Sequence, residues 1–166
     1  MEKITIRALT DEDVEAYKEI RLEMLQDKPE AFGDSYENTK DQDLDFYLHR
    51  INNGSIFAAF LENKIVATTG YFIKQGIRSD HKAYIWGVYV QPKHRGNGLS
   101  HRLLEYVLKN LPPSVTVAQL AYTKGNISAE KTYKKAGFKE WGIEEKAIKV
   151  DNQFYDEIHM VKFLDK

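Results

Sequence analysis

The chain contains no cysteine. That absence excludes disulfides, thiolate-held metals and a cysteine nucleophile. It leaves the compartment open, because a lack of cysteine is only a missing sign of secretion. Charge of one sign is also lacking: 24 Lys and Arg face 25 Asp and Glu, for a net charge of -1. No global field therefore draws the chain to nucleic acid or to an anionic membrane. No apolar run approaches the ~18 residues of a membrane span. The opening M-E-K-I-T-I-R-A has no apolar core of the signal-peptide kind and passes straight into strand-like alternation. There is no internal repeat, low-complexity run or linker. The expectation is a single domain over residues 1–166, cytoplasmic and long enough to bury a core.

Three ligand motifs are missing as well. A Walker loop needs G-x-x-x-x-G-K-[ST], which does not occur. A dinucleotide fingerprint needs a third Gly or Ala, and His101 stands at that position. His81 and His94 have no H-x-x-x-H or comparable partner, so no metal is expected.

What is present centres on residues 84–111. Residues 84–90 are rich in β-branched and aromatic side chains and predict a strand ending near Gln91, before Pro92. Leu99, Leu103, Leu104, Val107, Leu108 and Leu111 recur at helical spacing. Between strand and helix, Arg95-Gly96-Asn97-Gly98 lets the backbone bend sharply and be approached closely. A helix start offers free N–H groups and the positive end of the macrodipole, and Lys93, Arg95 and Arg102, with the titratable His94, add cationic or potentially cationic groups. The same residues also fit an ordinary strand-to-helix turn with solvated charges.

Elsewhere, residues 4–8 alternate as a half-buried strand, and Thr10 or Asp11 offers a cap to a helix running to about Gln26. A turn-rich segment over 29–40 precedes a second helix from Asp41 or Gln42 to Asn52, stopped by Asn52-Asn53-Gly54. A hairpin follows, with strands at 55–61 and 65–74, and Gly70 marks a candidate bulge. After the 84–111 unit come a strand at 115–122 and a short helix at 127–136 capped by Gly137. Residues 138–141 pair briefly, and 145–150 with 153–163 form a last hairpin. The order β-α-α-β-β-β-α-β-α-β-β gives an α/β fold with one mixed sheet and helices on both faces. Alternation in the central strand puts Tyr84, Trp86, Val88 and Val90 on one face.

Arg95-Gly96-Asn97-Gly98-Leu99-Ser100 resembles the Q/R-x-x-G-x-G/A pyrophosphate loop of the GNAT superfamily of acyl-CoA-dependent N-acyltransferases, with Ser100 departing from the usual Gly or Ala. Downstream, Asn126, Ala129, Tyr133, Gly137 and Phe138 fit that family's N-x-x-A-x-x-x-Y-x-x-x-G-F pattern. The motif-bearing resemblance covers residues 84–138. It implies a GNAT-like sheet splayed between the strands at 84–90 and 115–122. It implies acetyl-CoA as co-substrate, with the six loop residues at its pyrophosphate. Backbone groups of Val88, Tyr89 and Val90 and the Asn126 side chain would bind its pantetheine arm.

The implied reaction is direct attack of an amine on acetyl-CoA, with a Val88 N–H at the oxyanion and Tyr133 as acid. Lys131, Lys134 and Lys135 either reach the 3′-phosphate or form a solvated helix face. The base stays open among Asp34, Glu37, His81, Tyr84 and a water chain. The acidic stretch Glu30, Asp34, Glu37, Asp41, Asp43 and Asp45 would favour a polyamine, an aminoglycoside or a lysine side chain. Tyr36, Tyr71, Phe72 and Trp86 would instead make an aromatic acceptor pocket. A non-catalytic acyl-CoA sensor fits the loop equally well, and the last hairpin leaves room for a homodimer.

Overall fold

Seven strands make one sheet in the order β1-β2-β3-β4-β5-β7-β6 in a computed structural model that describes residues 3–53 and 55–165. Met1, Glu2 and the Gly54 of the expected stop lie outside the described residues. The strands are β1 (Ile4–Ala8), β2 (Ile56–Leu61), β3 (Lys64–Ile73), β4 (Lys82–Val90), β5 (Val117–Thr123), β6 (Lys139–Val150) and β7 (Gln153–Phe163). All neighbours pair antiparallel except β4 and β5, which run parallel. The β2–β3 hairpin turns through Glu62 and Asn63, both at positive φ (48° and 68°), which suits the strands' right-handed twist.

Helices cover both faces. On one, α1 (Val14–Asp27) packs against α3 (Leu44–Ile51) around Tyr17, Met24, Leu25 and Tyr47, all buried. On the other, α4 (Leu99–Asn110) and α5 (Ile127–Lys135) close a larger core. The α4 stripe expected from its leucine spacing is the one buried: Leu103, Leu104 and Val107 have no exposed surface. Each such side chain contributes roughly 1.5–3 kcal/mol by leaving water. Helix α1 starts where the Thr10 N–H donates to Asp13 at 2.8 Å, while Arg7 pairs with the same carboxylate at 2.7 Å. Gly137 ends α5 at φ 93°, a conformation that glycine adopts without cost.

Several sequence expectations need correction. The 29–40 segment is not plain loop: a 3-10 turn (Pro29–Ala31) and a one-turn helix α2 (Tyr36–Thr39) lie in it, the latter capped by Ser35. The second helix starts at Leu44, because the Asp43 carboxylate caps it by accepting from the Phe46 N–H. The brief strand and final hairpin arm at 138–150 are one twelve-residue strand, β6, with register shifts at Glu140/Gly142 and Glu144/Ile148.

The most consequential correction is in β4. The register steps from Gly70↔Trp86 to Thr68↔Tyr89, so Gly87 and Val88 together oppose Thr69. The extra residue belongs to β4, not to the strand carrying Gly70. Gly87 takes φ 65°, and the Thr69 hydroxyl donates to the Trp86 carbonyl at 3.0 Å. A one-residue bulge reverses alternation. Val88 and Val90 therefore face the α4 core with Ala83 and Ile85, whereas Trp86 and Tyr89 face the α1 core.

Gly70 has its own reason. A Cβ there would lie 2.6 Å from the Trp86 ring, which lies across this glycine. Gly70→Ala must displace that ring and should cost about 1–3 kcal/mol, read as a melting temperature lower by several degrees. An unchanged melting temperature would show that the ring does not depend on the glycine.

Candidate functional site

The site exists because β4 and β5 part. They pair only at Lys82↔Val117, Ala83↔Ala118 and Tyr84↔Gln119. Beyond that point β5 keeps its partner β7 to Thr123, while β4 keeps β3. The two carboxyl ends diverge, as the resemblance implies, and a cavity of about 590 Å³ opens between them. Ligands of sheets with parallel strands gather at such divergent carboxyl ends.

The cavity joins most of the expected residues. Val88, Tyr89, Val90, Arg95, Gly96, Gly98, Leu99, Ser100, Asn126 and Tyr133 line it. Asn97 does not; it is exposed at the tip of the loop. Gly96 (φ 81°) and Gly98 (φ 71°) hold the loop in the left-handed region, and Gly98 is the residue at which α4 begins. A Cβ added at either glycine would meet no other atom within 4 Å, so the space over the loop is open. The first-turn amides of α4 have no partner inside the helix and carry its positive end.

Arg95 is not a free cation. Its Nε donates to the Val90 carbonyl at 2.9 Å, and its other nitrogen pairs with Asp27 of α1. Its role is to tie the loop to the end of β4 and to α1. Tyr89 shares that anchor, donating to Glu23 at 3.0 Å. Asn126 caps α5 through its side-chain oxygen, which accepts from the Ala129 N–H at 3.2 Å. Its NH₂ remains available to a ligand. Ser100 and Thr132 hydroxyls lie 3.4 Å apart, joining α4 to α5. Lys134 pairs with Glu130 at 2.6 Å and Glu140 at 3.4 Å, which settles it on the helix face.

Tyr133 rises from α5 into the cavity. It is 6% exposed, with its ring tilted against Tyr122 and Phe138. Its hydroxyl makes no hydrogen bond among the described residues. Burial, with a smaller contribution from Tyr84, pushes this phenol above its ordinary value. It keeps its proton across the neutral range and is fit to donate it.

Sequence reasoning missed some residues and misplaced others. Phe32, Thr123 and Tyr155 also line the cavity, brought there by folding rather than by any local motif. Asp34, a candidate base, sits between Arg21 at 3.3 Å and Arg50 at 3.4 Å. Arg21 is itself buried beneath the bulge, its guanidinium 3.4 Å from where a Gly87 Cβ would be. Asp43 of the acidic stretch is spent on capping α3. Among the described residues no group of three His, Cys, Asp or Glu is placed to hold a metal, and no helix is long and apolar enough to cross a membrane.

The sequence profile of the acetyltransferase (GNAT) family matches residues 17–138. The chain belongs to the GNAT acetyltransferase family. No curated protein matches it in sequence. Solved structures share the fold at low identity. A GNAT-family acetyltransferase from Streptococcus pneumoniae has a TM-score of 0.87 at 20% identity, covering 98% of this chain and 100% of that one. The yncA protein of Salmonella typhimurium, solved with its cofactor acetyl-CoA, has a TM-score of 0.82 at 18% identity over 99% of this chain and 95% of that one. A ribosomal-protein-alanine N-acetyltransferase from Brucella melitensis has a TM-score of 0.79 at 21% identity over 96% of this chain and 99% of that one. GNAT membership makes this chain an acyltransferase by family.

The Arg95–Asp27 tie gives a pH-dependent prediction. The guanidinium, helped by Tyr89, holds the Asp27 carboxyl below its ordinary value. A depressed carboxyl contributes stability that is present above its unfolded value and lost as pH falls through the folded one. The pair is partly exposed, so Asp27→Asn should cost roughly 0.5–1 kcal/mol at pH 7. The gap to the unmutated protein should begin to shrink near the ordinary carboxyl value of about pH 4 and close only as pH falls through the lowered folded value. Thermal melts across pH check this; a gap that persists at acid pH would contradict the assignment.

Proposed function

We propose that the chain is an acetyl-CoA-dependent N-acetyltransferase that moves an acetyl group to a primary amine by direct attack, without a covalent enzyme intermediate. The observation that carries this reading is the opening between β4 and β5. It ends at the left-handed glycine loop of α4 and holds the buried residue Tyr133, whose hydroxyl makes no hydrogen bond among the described residues. One seven-stranded sheet running from Ile4 to Phe163 supports a single domain, and the sequence reading adds a cytoplasmic setting.

The residues present fit acetyl-CoA. The open space over Gly96 and Gly98 admits a pyrophosphate to the first-turn amides of α4. From Val88 onward β4 does not pair with β5; Arg95 donates to the Val90 carbonyl, and the backbone groups left on that edge seek partners, which an amide-bearing pantetheine arm supplies. The Asn126 NH₂ stands at the same opening. When bound, acetyl-CoA supplies the activated acetyl group as a thioester.

The chain's own residues then divide the work. Val88, pushed out of the β3 register by the bulge, presents its N–H to the developing oxyanion. Tyr133 holds a proton for the leaving sulfur. Lys28 and His94 border the opening, and the Lys28 ammonium adds positive charge beside the phosphates.

Two substitutions test the reading by calorimetry and by thiol release. Gly98→Val places a branched side chain in the phosphate space and should abolish acetyl-CoA binding, with circular dichroism confirming a folded protein. Tyr133→Phe should lower kcat about 100-fold and leave acetyl-CoA affinity within about two-fold. Unchanged turnover in Tyr133→Phe would remove it as the acid. Full affinity in Gly98→Val would sink the loop assignment.

A further inference from the structure

A second group of polar residues lies on the sheet face away from α4 and α5, beside Thr123, which lines the opening. Cross-strand partners share a face. Tyr84 of β4 pairs with Gln119 of β5, and Glu157 of β7 pairs with Thr123 of β5 and Glu144 of β6. Their alternating neighbours Leu120, Tyr122, Ile158 and Met160 enter the α4–α5 core or lie against it. Tyr84, Gln119, Glu144, Glu157 and His159 therefore occupy the face away from the cofactor helices.

This face carries unsatisfied chemistry. The Gln119 Oε1 is buried without a hydrogen-bond partner among the described residues. On the other face, Tyr133 is a buried residue that lines the opening, and its hydroxyl makes no hydrogen bond among the described residues. His159 is engaged by Glu144 at 3.2 Å, whereas the Glu157 carboxylate has no hydrogen bond or ion pair among the described residues. The charged and titratable groups around Glu157 are Tyr84 from β4, Glu144 from β6 and His159 from its own strand. Above Thr123 lies the 3-10 turn 29–31, whose Glu30 carbonyl accepts from the Thr123 hydroxyl at 2.7 Å.

We propose that Glu157 is the general base and that the acceptor crosses this face as a cationic primary amine, drawn by Glu144 and Glu157. The proposal rests on the acetyltransferase reading. Burial raises the Glu157 carboxyl above its ordinary value, opposed by His159 and aided to a lesser degree by Glu144, which brings it closer to the pH at which a base works best.

The step balances. One ammonium proton passes to Glu157 and frees the nitrogen lone pair, which forms the C–N bond to the acetyl carbon. The carbonyl π pair moves to oxygen at the Val88 N–H. It returns as the C–S bond breaks, the pair leaving on sulfur, which takes the Tyr133 proton. The second nitrogen proton goes to water, and the regenerated phenol and carboxylate draw on the same solvent.

The test compares the intact chain with E157Q. Acetyl-CoA binding is measured by calorimetry, and thiol release is followed with putrescine, spermidine and a lysine peptide across pH. In the free protein, carboxyl NMR follows Glu157 itself. Glu157 should titrate above the ordinary glutamate value. E157Q should bind acetyl-CoA within about two-fold, lose about 100-fold in kcat and lose the acid limb of the pH profile. Unchanged kcat and an unchanged limb in E157Q would overturn the proposal. So would an unmutated protein that binds acetyl-CoA yet acetylates none of these amines. No acetyl-CoA binding at all would sink the acetyltransferase reading itself.

Discussion

Backbone pairing that stops after three residue pairs is the constraint on which this site depends. β4 and β5 are joined at their amino ends and free of each other at their carboxyl ends. Each still has its outer neighbour, so the sheet survives the break. β3 holds β4 through the bulge, and β7 holds β5 along its whole length. The cost of exposing strand edges inside a protein is high unless something pairs with them. The fold thus builds an opening with a demand for a peptide-like partner already in it.

The surrounding features keep that opening in shape. Arg21 lies under Gly87, and Thr69 holds the Trp86 carbonyl, so the bulge is supported from both sides. Arg95 fastens the glycine loop to the end of β4 and, through Asp27, to α1. Tyr89 is pinned by Glu23 on the same helix. These contacts fix the distance between the helix start and the strand end, the two parts that a long phosphate-bearing thioester must span together. Preorganised groups of this kind contribute most where charge develops during reaction.

Much of this was legible in the sequence, and the pattern of success is physical. The strand, glycine turn and α4 unit could be read because its information is local: Pro92, two glycines and a leucine stripe within one stretch. The second motif located Tyr133 and Asn126 for the same reason. The bulge could not be read, because it arises from how β3 meets β4, a pairing that no single strand encodes. Alternation alone therefore put Val88 on the wrong face. The acidic stretch at 30–45 looked like an acceptor rim, yet Asp34 is held by two arginines and Asp43 caps a helix. Glu157 escaped notice because its place opposite Thr123 depends on β7 inserting between β5 and β6.

The most direct measurement of the central claim is amide hydrogen exchange of Val88 with and without acetyl-CoA. The account predicts fast exchange in the free protein, because this amide has no place in either neighbouring register. It predicts strong protection once acetyl-CoA is added. A Val88 amide already protected in the free protein, or one whose exchange acetyl-CoA leaves unchanged, would contradict the claim that the parted strands are the cofactor's partner.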